Sequence, residues 1–434
     1  MQIVKWGELD QIERKQILSR QNKVKIDNVS NKVTEIIENV RQNGDKALID
    51  YTYNFDKVKL STLQVEEYEY REIDNLEVKY KDAIIEASKN IENFHKRTCP
   101  TSFEYENDGI SLGKIYRPIE SVGLYIPGGT APLVSTLMML AIPANIANCK
   151  LKVIVTPPNR DGKISPAILF AAKHCGIDKI YKVGGAQAIS ALGFGTESIP
   201  KVNKIFGPGN KYVTEAKMQV SRMDGQVAID MPAGPSEVLV IADNNANPEF
   251  IASDLLAQAE HDPEAHVVLV TNANQIVDLV KKAIEEQITQ LSRKHIILES
   301  LSKSAIIVVD SLIEAFNVSN QYAPEHLILH IDNPKSYLEQ INNAGSIFIG
   351  KWAPESLGDY ASGTNHVLPT YGYAKMYSGL DVTAFMKSIS FQEVSPVGLQ
   401  RIGRTVEDLA TLEGLTAHKN AVTIRLQNLN KVNK

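Results

Sequence analysis

Short apolar runs rich in β-branched residues alternate with helix-length segments from about residue 122 onward. The first series of runs is VGLYIP, KLKVIVTP, KIYKVGG and KIFGPG. A second series follows VAIDMPAGPSE and contains EVLVIAD, HVVLVT, AIIVVD, HLILHI and GSIFIG. This alternation is typical of parallel sheets with crossover helices. The pattern therefore predicts an α/β protein with two parallel-sheet units, divided near the PAGPS turn and not related by a sequence repeat.

The two ends of the chain show a helical pattern instead. Val33, Ile36, Ile37 and Val40 recur at helical spacing, and Gly44 is expected to stop that helix. Near the other end, TVEDLATLEGLTAHKNAVTIRLQNL predicts one or two helices. The preceding stretch YGYAKMYSGLDVTAFMKSISFQEVSPVG is polar and turn-rich, so no strand is expected there. We expect the helical tail to pack on another domain or another subunit.

Composition and charge exclude several classes of protein. The chain has 434 residues, 43% of them hydrophobic, and a net charge of −5 without a Lys/Arg-rich block, which argues against nucleic acid and anionic membranes as partners. The charged N-terminus lacks the apolar core of a signal peptide. The most apolar stretch, residues 131–147, contains two prolines and is shorter than the roughly 20 residues of a membrane span. We expect a buried helix there and a cytoplasmic protein.

The three cysteines, Cys99, Cys149 and Cys175, form no CxxC motif, and their number is odd. Disulfides and a thiolate zinc site are therefore not expected. A metal ion in this protein has to be bound by histidine, carboxylate or amide groups.

Three Gly-rich turns connect a predicted strand to a predicted helix: GLYIPGGTAP, VGGAQAI and IFGPGNKY. None forms the G-x-G-x-x-G fingerprint with its downstream acidic residue. Turns of this kind allow backbone N–H groups to approach a phosphate, but they also serve as plain tight turns. A nucleotide site and a purely structural role are both compatible with the pattern.

Four clusters of polar residues could bind a metal ion or transfer protons: Gln258 with His261, Glu325 with His326, Asp359 with His366, and Glu413 with His418. Taken singly, such residues are more often surface, hydrogen-bonded or turn-forming groups. The first three clusters, however, fall beside predicted strand ends of the second unit, and parallel sheets commonly bind ligands at the carboxyl ends of their strands. Pro263 breaks the helix that an H-E-x-x-H protease site requires. The residues alone indicate an α/β enzyme that could bind a metal.

Longer motifs resemble one family throughout the chain. GLYIPGGTAPLVSTLMMLAIPANIA, VGGAQAISALGFGT, IFGPGNKYV, IDMPAGPSEVLVIAD, DLLAQAEHDPEA, QYAPEHL, NAGSIFIG, ESLGDYASGTNHVLPT and EGLTAHKNAV are similar, in order, to histidinol dehydrogenase, from about residue 28 to 425. The resemblance implies oxidation of L-histidinol to L-histidine via L-histidinaldehyde, the last step of histidine biosynthesis. It also implies two NAD consumed per turnover, one zinc per site, and a homodimer with exchanged segments and shared active sites.

The resemblance also implies a role for each matching residue. Zinc ligands would be Gln258, His261, Asp359 and His418, which would contact the substrate together with Ser236, His326 and Glu413. Glu325 and His326 would be the acid/base pair, and Tyr125, Gln187 and Asn210 would contact NAD.

Pattern and resemblance together predict four parts of the chain. Residues 1–25 are expected to form an N-terminal helical arm, and 26–124 with 237–380 an α/β domain that carries the metal and acid/base residues. Residues 125–236 are expected to form a Rossmann-like NAD-binding domain, and 381–434 a helical tail exchanged with the partner subunit. The fold class predicted is thus α/β, with two incomplete Rossmann-like parallel-sheet units and helical extensions at both ends.

The implied chemistry agrees with these residue types. The amine and imidazole of histidinol can both bind zinc, and a ligand set of nitrogen and oxygen without thiolate suits exchange of small ligands. Removal of the alcohol proton requires a base of near-neutral pKa, for which His326 is the candidate. Glu325 could accept a proton from the water that attacks the aldehyde, and Pro324 would stiffen the segment.

Three alternatives make different predictions. A thiohemiacetal on Cys149 or Cys175 is disfavoured because both thiols lie in apolar helical contexts, where cysteine is usually inert. A zinc-dependent hydrolase on the same scaffold would need no nucleotide. NADH absorbance after addition of histidinol and NAD would therefore distinguish a dehydrogenase from a hydrolase. A non-catalytic NAD- or metal-binding protein would need no acid/base pair.

Overall fold

The computed structural model describes residues 1–20, 26–128, 132–223, 227–231 and 234–432, without the side chains of 26–28 and 432. The chain divides into two compact units. The main unit comprises Met1–Thr98 and Ile119–Phe385, and the small unit comprises Cys99–Pro118 and Met386–Lys434. No helix among the described residues is long and apolar enough to cross a membrane.

The strands follow the predicted apolar runs closely in the middle of the chain. They are β1 (Gln2–Lys5), β2 (Phe103–Asn107), β3 (Ile110–Pro118), β4 (Ser121–Tyr125), β5 (Leu151–Thr156), β6 (Ile180–Lys182), β7 (Lys204–Phe206), β8 (Ala228–Ile229), β9 (Glu237–Ala242), β10 (His266–Thr271), β11 (Ala305–Val308), β12 (His326–His330), β13 (Ser346–Ile349) and β14 (Met386–Val394).

Helices connect the strands and extend both ends of the chain. They are α1 (Gln11–Leu18), α2 (Ile26–Asp56), α3 (Val78–His95), α4 (Val134–Ile146), α5 (Pro166–His174), α6 (Gly185–Phe194), α7 (Lys211–Arg222), α8 (Pro248–Ala259), α9 (Asn274–Gln287), α10 (Lys294–Lys303), α11 (Leu312–Tyr322), α12 (Glu355–Tyr360), α13 (Pro396–Leu412) and α14 (Thr416–Val432).

The main unit contains two parallel sheets with the same strand order. The five-stranded sheet runs β6-β5-β4-β7-β8, and the six-stranded sheet runs β1-β11-β10-β9-β12-β13. If each sheet is numbered from its first crossover strand, both follow the order 3-2-1-4-5, with β1 added at one edge of the larger sheet. Strands β9, β10 and β12 are buried along their whole length, as expected for parallel strands covered on both faces. The predicted fold class is confirmed.

Helix α2 belongs with the five-stranded sheet. Val33, Ile37 and Leu48 are fully buried in one apolar cluster with Val153 of β5 and Ile205 of β7. The prediction that assigned all of 26–124 to the domain of the other sheet was therefore wrong for this helix, because its amphipathic pattern shows that one face is buried but not against which partner. The predicted boundary at 124/125 also cuts β4, the central strand of the five-stranded sheet.

Gly44 interrupts α2 rather than ending it. Its backbone has φ 50° and ψ −132°, a conformation that favours glycine, and helical structure resumes beyond it. The Glu197 carboxylate accepts a hydrogen bond from the backbone N–H of Asp45 (2.7 Å) next to the break. A side chain at position 44 would collide with that carboxylate.

Strands occur in both predicted helical extensions. β1, in the predicted arm 1–25, pairs in parallel with β11. In the small unit, β14 pairs along nine residues with β3, which forms a hairpin with β2 through Asp108 and Gly109, both at positive φ. The expectation of no strand before the C-terminal helices was wrong: β14 is largely exposed and lacks apolar alternation, so long-range pairing rather than burial defines it.

The C-terminal helices themselves agree with the prediction. α13 and α14 are separate helices with Gly414 between them at φ 72°. They pack closely where Gly403 of α13 lies under the Leu426 side chain of α14.

Candidate active site

The two residues predicted to form an acid/base pair, Glu325 and His326, lie at the amino edge of the six-stranded sheet. His326 is the first residue of β12, and Glu325 precedes it. Next to it, β9 begins at Glu237. The expectation that the site would lie at the carboxyl ends of these strands was wrong. Crossover helices run antiparallel to the strands they connect, and they return their C-terminal residues to the amino edge.

Two helices bring the candidate metal ligands to this edge. Gln258 lies in the last turn of α8, and His261 follows the helix end. Asp359 and Glu355 lie four residues apart on α12, and helical neighbours at this spacing share a face. His261, Glu355 and Asp359 each offer one ligand atom, and these atoms lie within 4.8 Å of one another. Two of the four predicted zinc ligands are thus brought together with an additional carboxylate.

Gln258 faces this cluster through its side-chain amide. In the orientation that satisfies its surroundings, the amide nitrogen donates to Glu355 Oε2 (2.8 Å) and the oxygen accepts from the backbone N–H of Glu237 (3.3 Å). The opposite orientation turns the amide oxygen towards the Glu355 carboxylate. A cation bound between the amide oxygen and the carboxylate oxygens would stabilise this second orientation. The donor set of amide, imidazole and carboxylates therefore fits a zinc-type ion without requiring a thiolate.

One residue fixes both members of the acid/base pair. The backbone N–H of Glu237 donates to Glu325 Oε2 (2.8 Å), and the Glu237 carbonyl oxygen lies 3.1 Å from His326 Nδ1. A carbonyl only accepts, so Nδ1 carries a proton. His326 Nε2 is buried and has no hydrogen-bond partner among the described residues; it lies 3.4 Å from Asp359 Oδ1. This nitrogen is the atom of the pair that is available to a substrate.

The electrostatics of the cluster are dominated by buried carboxylates. Burial raises the pKa of Glu325 to about 8. Burial also disfavours the imidazolium of His326, but Glu325, Asp359 and Glu355 outweigh it and raise the pKa of His326 to about 10. Burial raises the pKa of Glu355 well above its usual range as well. The raised pKa values show that the cluster contains more carboxyl groups than one imidazolium can hold ionised, and a bound cation would favour their ionised forms.

A second feature lies at the carboxyl edge of the five-stranded sheet. A cavity of about 1110 Å³ opens there, and all three predicted NAD contacts, Tyr125, Gln187 and Asn210, line it. Tyr125 is the last residue of β4, and its hydroxyl accepts a hydrogen bond from the Gly185 N–H (3.1 Å). Burial raises the pKa of Tyr125 to about 12, so it remains neutral.

The described residues of the Gly-rich turns, among them Gly128, Gly184 and Asn210, border this cavity, whereas residues 129–131 lie outside the described residues. Tight packing also explains part of the glycine content of these turns. A Cβ on Gly184 would lie 2.7 Å from the Pro157 ring, and Gly185 has φ 67°. Asn210 caps α7 by accepting from the backbone N–H groups of Tyr212 (3.0 Å) and Val213 (3.2 Å). The N-termini of α6 and α7 therefore both open at the cavity, as suits an anionic ligand.

The remaining predicted residues are placed as follows. Ser236 is half-buried immediately before β9, and its carbonyl accepts from the His266 N–H (3.1 Å). Glu413 and His418 belong to the small unit, at the end of α13 and in α14, and both are exposed. The predicted zinc set is thus divided between the two units, with three residues in the main unit and His418 in the small one.

His366 supports Asp359 rather than joining the ligand cluster. Its Nδ1 donates to the Asp359 backbone carbonyl (2.8 Å), and its Nε2 lies 3.1 Å from the Thr136 hydroxyl on α4. The α12 segment of one sheet is in this way tied to a helix of the other.

Two residues of this cluster, Glu355 and Glu237, were not identified from the sequence. Glu355 could have been identified from its four-residue spacing to Asp359, had α12 been predicted. Glu237 acts through its backbone, for which no sequence signal exists.

Cys149 and Cys175, the two thiols considered as nucleophiles, are both buried. Burial raises the pKa of Cys149 to about 11 and that of Cys175 to about 12, so both are neutral near pH 7. Neutral buried thiols are poor nucleophiles.

The chain is similar to known proteins along nearly its whole length. A family model described as histidinol dehydrogenase matches residues 19–426. The chain is 50% identical over 432 residues to histidinol dehydrogenase of Vibrio vulnificus (strain CMCP6), covering 99% of each. It is 48% identical over 431 residues to that of Escherichia coli (strain K12), covering 98% of each. A crystal structure of histidinol dehydrogenase from Elizabethkingia anophelis matches with a TM-score of 0.95 and 47% identity, covering 99% of each chain.

Proposed function

The chain belongs to the histidinol dehydrogenase family, and on this premise we propose that it oxidises L-histidinol to L-histidine through L-histidinaldehyde, with two NAD consumed per turnover. The observation that carries the proposal is the acid/base pair Glu325–His326, held by Glu237 beside the ligand cluster of His261, Glu355 and Asp359. In this role the protein performs the last step of histidine biosynthesis.

Zinc is the proposed metal, one ion per site. His261, Asp359 and Gln258 would hold it in the main unit, and the concentration of carboxyl groups around His326 supports a cation there. When bound, zinc would anchor the amine and imidazole of histidinol, and its charge would offset the carboxylates that hold the pKa of His326 high. Orientation of the substrate by such an anchor can lower a barrier by several kcal/mol.

The chain's own residues would move the protons. In the first oxidation, His326 Nε2 accepts the hydroxyl proton while the hydride on the same carbon passes to NAD. Glu325 then accepts a proton from the water that adds to the aldehyde, and the hydrate loses a second hydride to a second NAD. The backbone of Glu237 holds two proton acceptors side by side, the Glu325 carboxylate and the His326 imidazole. Both proton transfers can therefore occur at one substrate carbon.

The cavity at the five-stranded sheet is the proposed NAD site. Its volume, its two helix N-termini and its lining by Tyr125, Gln187 and Asn210 support a ligand with a pyrophosphate group. The hydrolase alternative gives this cavity no role.

A homodimer with shared sites completes the proposal. His418 and Glu413, exposed on the helices of the small unit, would contribute the fourth zinc ligand and a substrate contact to a site of the partner subunit. Mixing inactive His418→Ala and His261→Ala chains tests this directly. One site of each mixed dimer would then carry both lesions and the other neither, so up to half the activity should return. Absence of activity after proven subunit exchange would contradict the shared site.

The decisive experiment counts NADH formed per histidinol consumed, with and without a chelator. Two NADH with little free aldehyde, abolished by the chelator and restored by zinc, is the expected result. One NADH with accumulating aldehyde contradicts the two-step reaction, and none contradicts the dehydrogenase itself.

A further inference from the structure

Arg20 makes an extensive set of contacts in the main unit. It lies two residues beyond α1, and its Nε and Nη2 donate to the two oxygens of the Glu237 carboxylate at 2.8 and 2.7 Å. The Arg20 side chain is 13% exposed and that of Glu237 1%. This is a paired, largely buried contact between residues 217 positions apart.

The same guanidinium also holds the segment that leads to the acid/base pair. Arg20 Nη1 donates to the Tyr322 carbonyl (2.9 Å), Nη2 lies 3.5 Å from the Ala323 carbonyl, and Cζ stacks 3.7 Å over the Tyr322 ring. Ala323 has φ 55°, a left-handed conformation that is unfavourable for an alanine. Pro324 and Glu325 follow it directly, so Arg20 stabilises the strained turn that presents the pair.

Further hydrogen bonds fix the two residues that Arg20 contacts, Tyr322 and Glu237. The Tyr322 hydroxyl lies 2.7 Å from His266 Nδ1, and burial lowers the pKa of His266 to about 4, so that ring is neutral. Glu237 Oε1 also accepts from the Tyr371 N–H (2.9 Å). The Glu237 side chain is thereby fixed by donors from two separate segments, Arg20 and Tyr371.

We infer that Arg20 is a positioning residue for the reaction: it fixes Glu237 and the Tyr322–Ala323 turn, and through them holds Glu325 and His326 in register. The inference rests on the proposed function. It follows from the dual use of Glu237, whose side chain binds Arg20 while its backbone N–H and carbonyl bind the two catalytic groups. Only a planar guanidinium can supply the parallel donors to Glu237 and the third donor to Tyr322 at once.

The same N-terminal segment supplies a matched control. Arg14 lies within α1, donates to the Trp6 carbonyl (2.9 Å) and stacks 4.9 Å over the Trp6 ring. It therefore makes the same kinds of contact, a carbonyl bond and a cation–π contact, but none of its described contacts reaches Glu237 or the acid/base pair. Loss of Arg14 measures what an arginine of this segment contributes to stability alone.

The test compares Arg20→Ala, Arg20→Lys and Arg14→Ala in the full-length, zinc-loaded enzyme. We expect kcat to fall roughly 10- to 100-fold in Arg20→Ala, because small misplacement of catalytic groups has effects of this size. KM for NAD and zinc content should remain as in the wild type. Millimolar guanidinium chloride, but not equal sodium chloride, should restore part of the Arg20→Ala activity by occupying the vacated site.

The outcomes separate positioning from stability. Arg20→Lys should lie between wild type and Arg20→Ala, without guanidinium rescue, and it provides the measurement if Arg20→Ala does not fold. Arg14→Ala should lower the melting temperature and leave kcat unchanged. A wild-type kcat in folded Arg20→Ala or Arg20→Lys, or equal kcat losses in the Arg14 and Arg20 variants, would overturn the inference.

A spectroscopic readout keeps this inference separate from the proposed function. Wild-type enzyme that forms no NADH from histidinol sinks the function, whatever Arg20 does. In protein carrying ¹⁵N-labelled histidine, the His326 Nδ1–H signal, identified by its absence in His326→Asn, should be present in the wild type and in Arg14→Ala. It should exchange rapidly with solvent in Arg20→Ala; an unchanged signal there would refute the positioning role independently of turnover.

Discussion

The two parallel sheets of the main unit share one strand order but use opposite edges. The five-stranded sheet opens a cavity of about 1110 Å³ at the carboxyl ends of its strands, next to β4 and β7. The six-stranded sheet gathers its charged cluster at the amino ends of the equivalent strands β9 and β12. The same architecture thus provides two sites of different chemical character.

The difference follows from the direction of the crossover helices. At the carboxyl edge the chain enters helices, so the positive N-terminal ends of α6 and α7 face the cavity and favour an anion. At the amino edge the chain leaves helices, so the negative end of α8 lies beside Gln258 and His261 and favours a cation. The positive helix ends at the carboxyl edge suit the proposed dinucleotide. The negative helix end at the amino edge suits the proposed metal ion.

The first test of this separation is His326→Asn. Because loss of a general base reduces turnover by roughly 10²–10⁴-fold, we expect kcat to fall by that range while NAD binding at the other edge is unchanged. Steady-state kinetics and NADH fluorescence titration measure the two properties. His295→Asn, at an exposed histidine of α10, is the control and should behave as wild type. A parallel loss of NAD affinity would show that the two edges are not independent.

The second test replaces two of the proposed metal ligands. Asp359→Asn should weaken zinc binding by roughly 100-fold or more, and Glu355→Gln by less if its carboxylate contributes to the same site. Zinc content after dialysis against a graded series of chelator concentrations ranks the zinc affinities of the two variants and the wild type. NADH should still bind to both variants with affinity within about twofold of wild type. Full zinc retention by Asp359→Asn would exclude the cluster as the metal site.

The third test acts at the cavity. Gln187→Ala should raise KM for NAD roughly tenfold, since a buried amide contact is worth about 1–1.5 kcal/mol, and should leave zinc content and kcat at saturating NAD near wild type. Replacement of Gln187 is therefore expected to change NAD binding and not kcat, whereas replacement of His326 should change kcat and not NAD binding. A fall in kcat without a change in KM would instead place Gln187 in the chemistry or the fold.

The last test concerns pH and the stability of metal-free protein. Burial raises the pKa of Glu325 from 4.5 to about 8, so the folded state holds this proton more tightly. Its contribution to stability is complete below pH about 4.5 and is lost as the pH rises through about 8. Between pH 5 and 8.5, the free energy of unfolding should fall more steeply for wild type than for Glu325→Gln, by roughly 1–3 kcal/mol. Urea unfolding at both pH values measures this, and equal slopes would contradict the assigned pKa.

Much of the fold was determined locally. Buried parallel strands leave continuous apolar runs such as VVLV and LIL, and Gly44 marked a break in helical structure because its positive φ excludes most side chains. The long motifs were sufficient to identify the family. The three residues predicted with it to contact NAD all line one cavity. In each case the information lies in a short window, since burial and backbone dihedral preference are properties of neighbouring residues.

Tertiary structure alone decided where these pieces meet. The direction in which α8 returns, and not any local pattern, placed Gln258 and His261 at the amino edge. Pairing with β3 made a strand of the exposed residues 386–394. Arg20 reaches Glu237 across 217 residues, and Glu237 holds Glu325 and His326 through backbone atoms that every residue except proline possesses. Such contacts leave no trace in a single sequence, because they depend on long-range packing rather than on residue type.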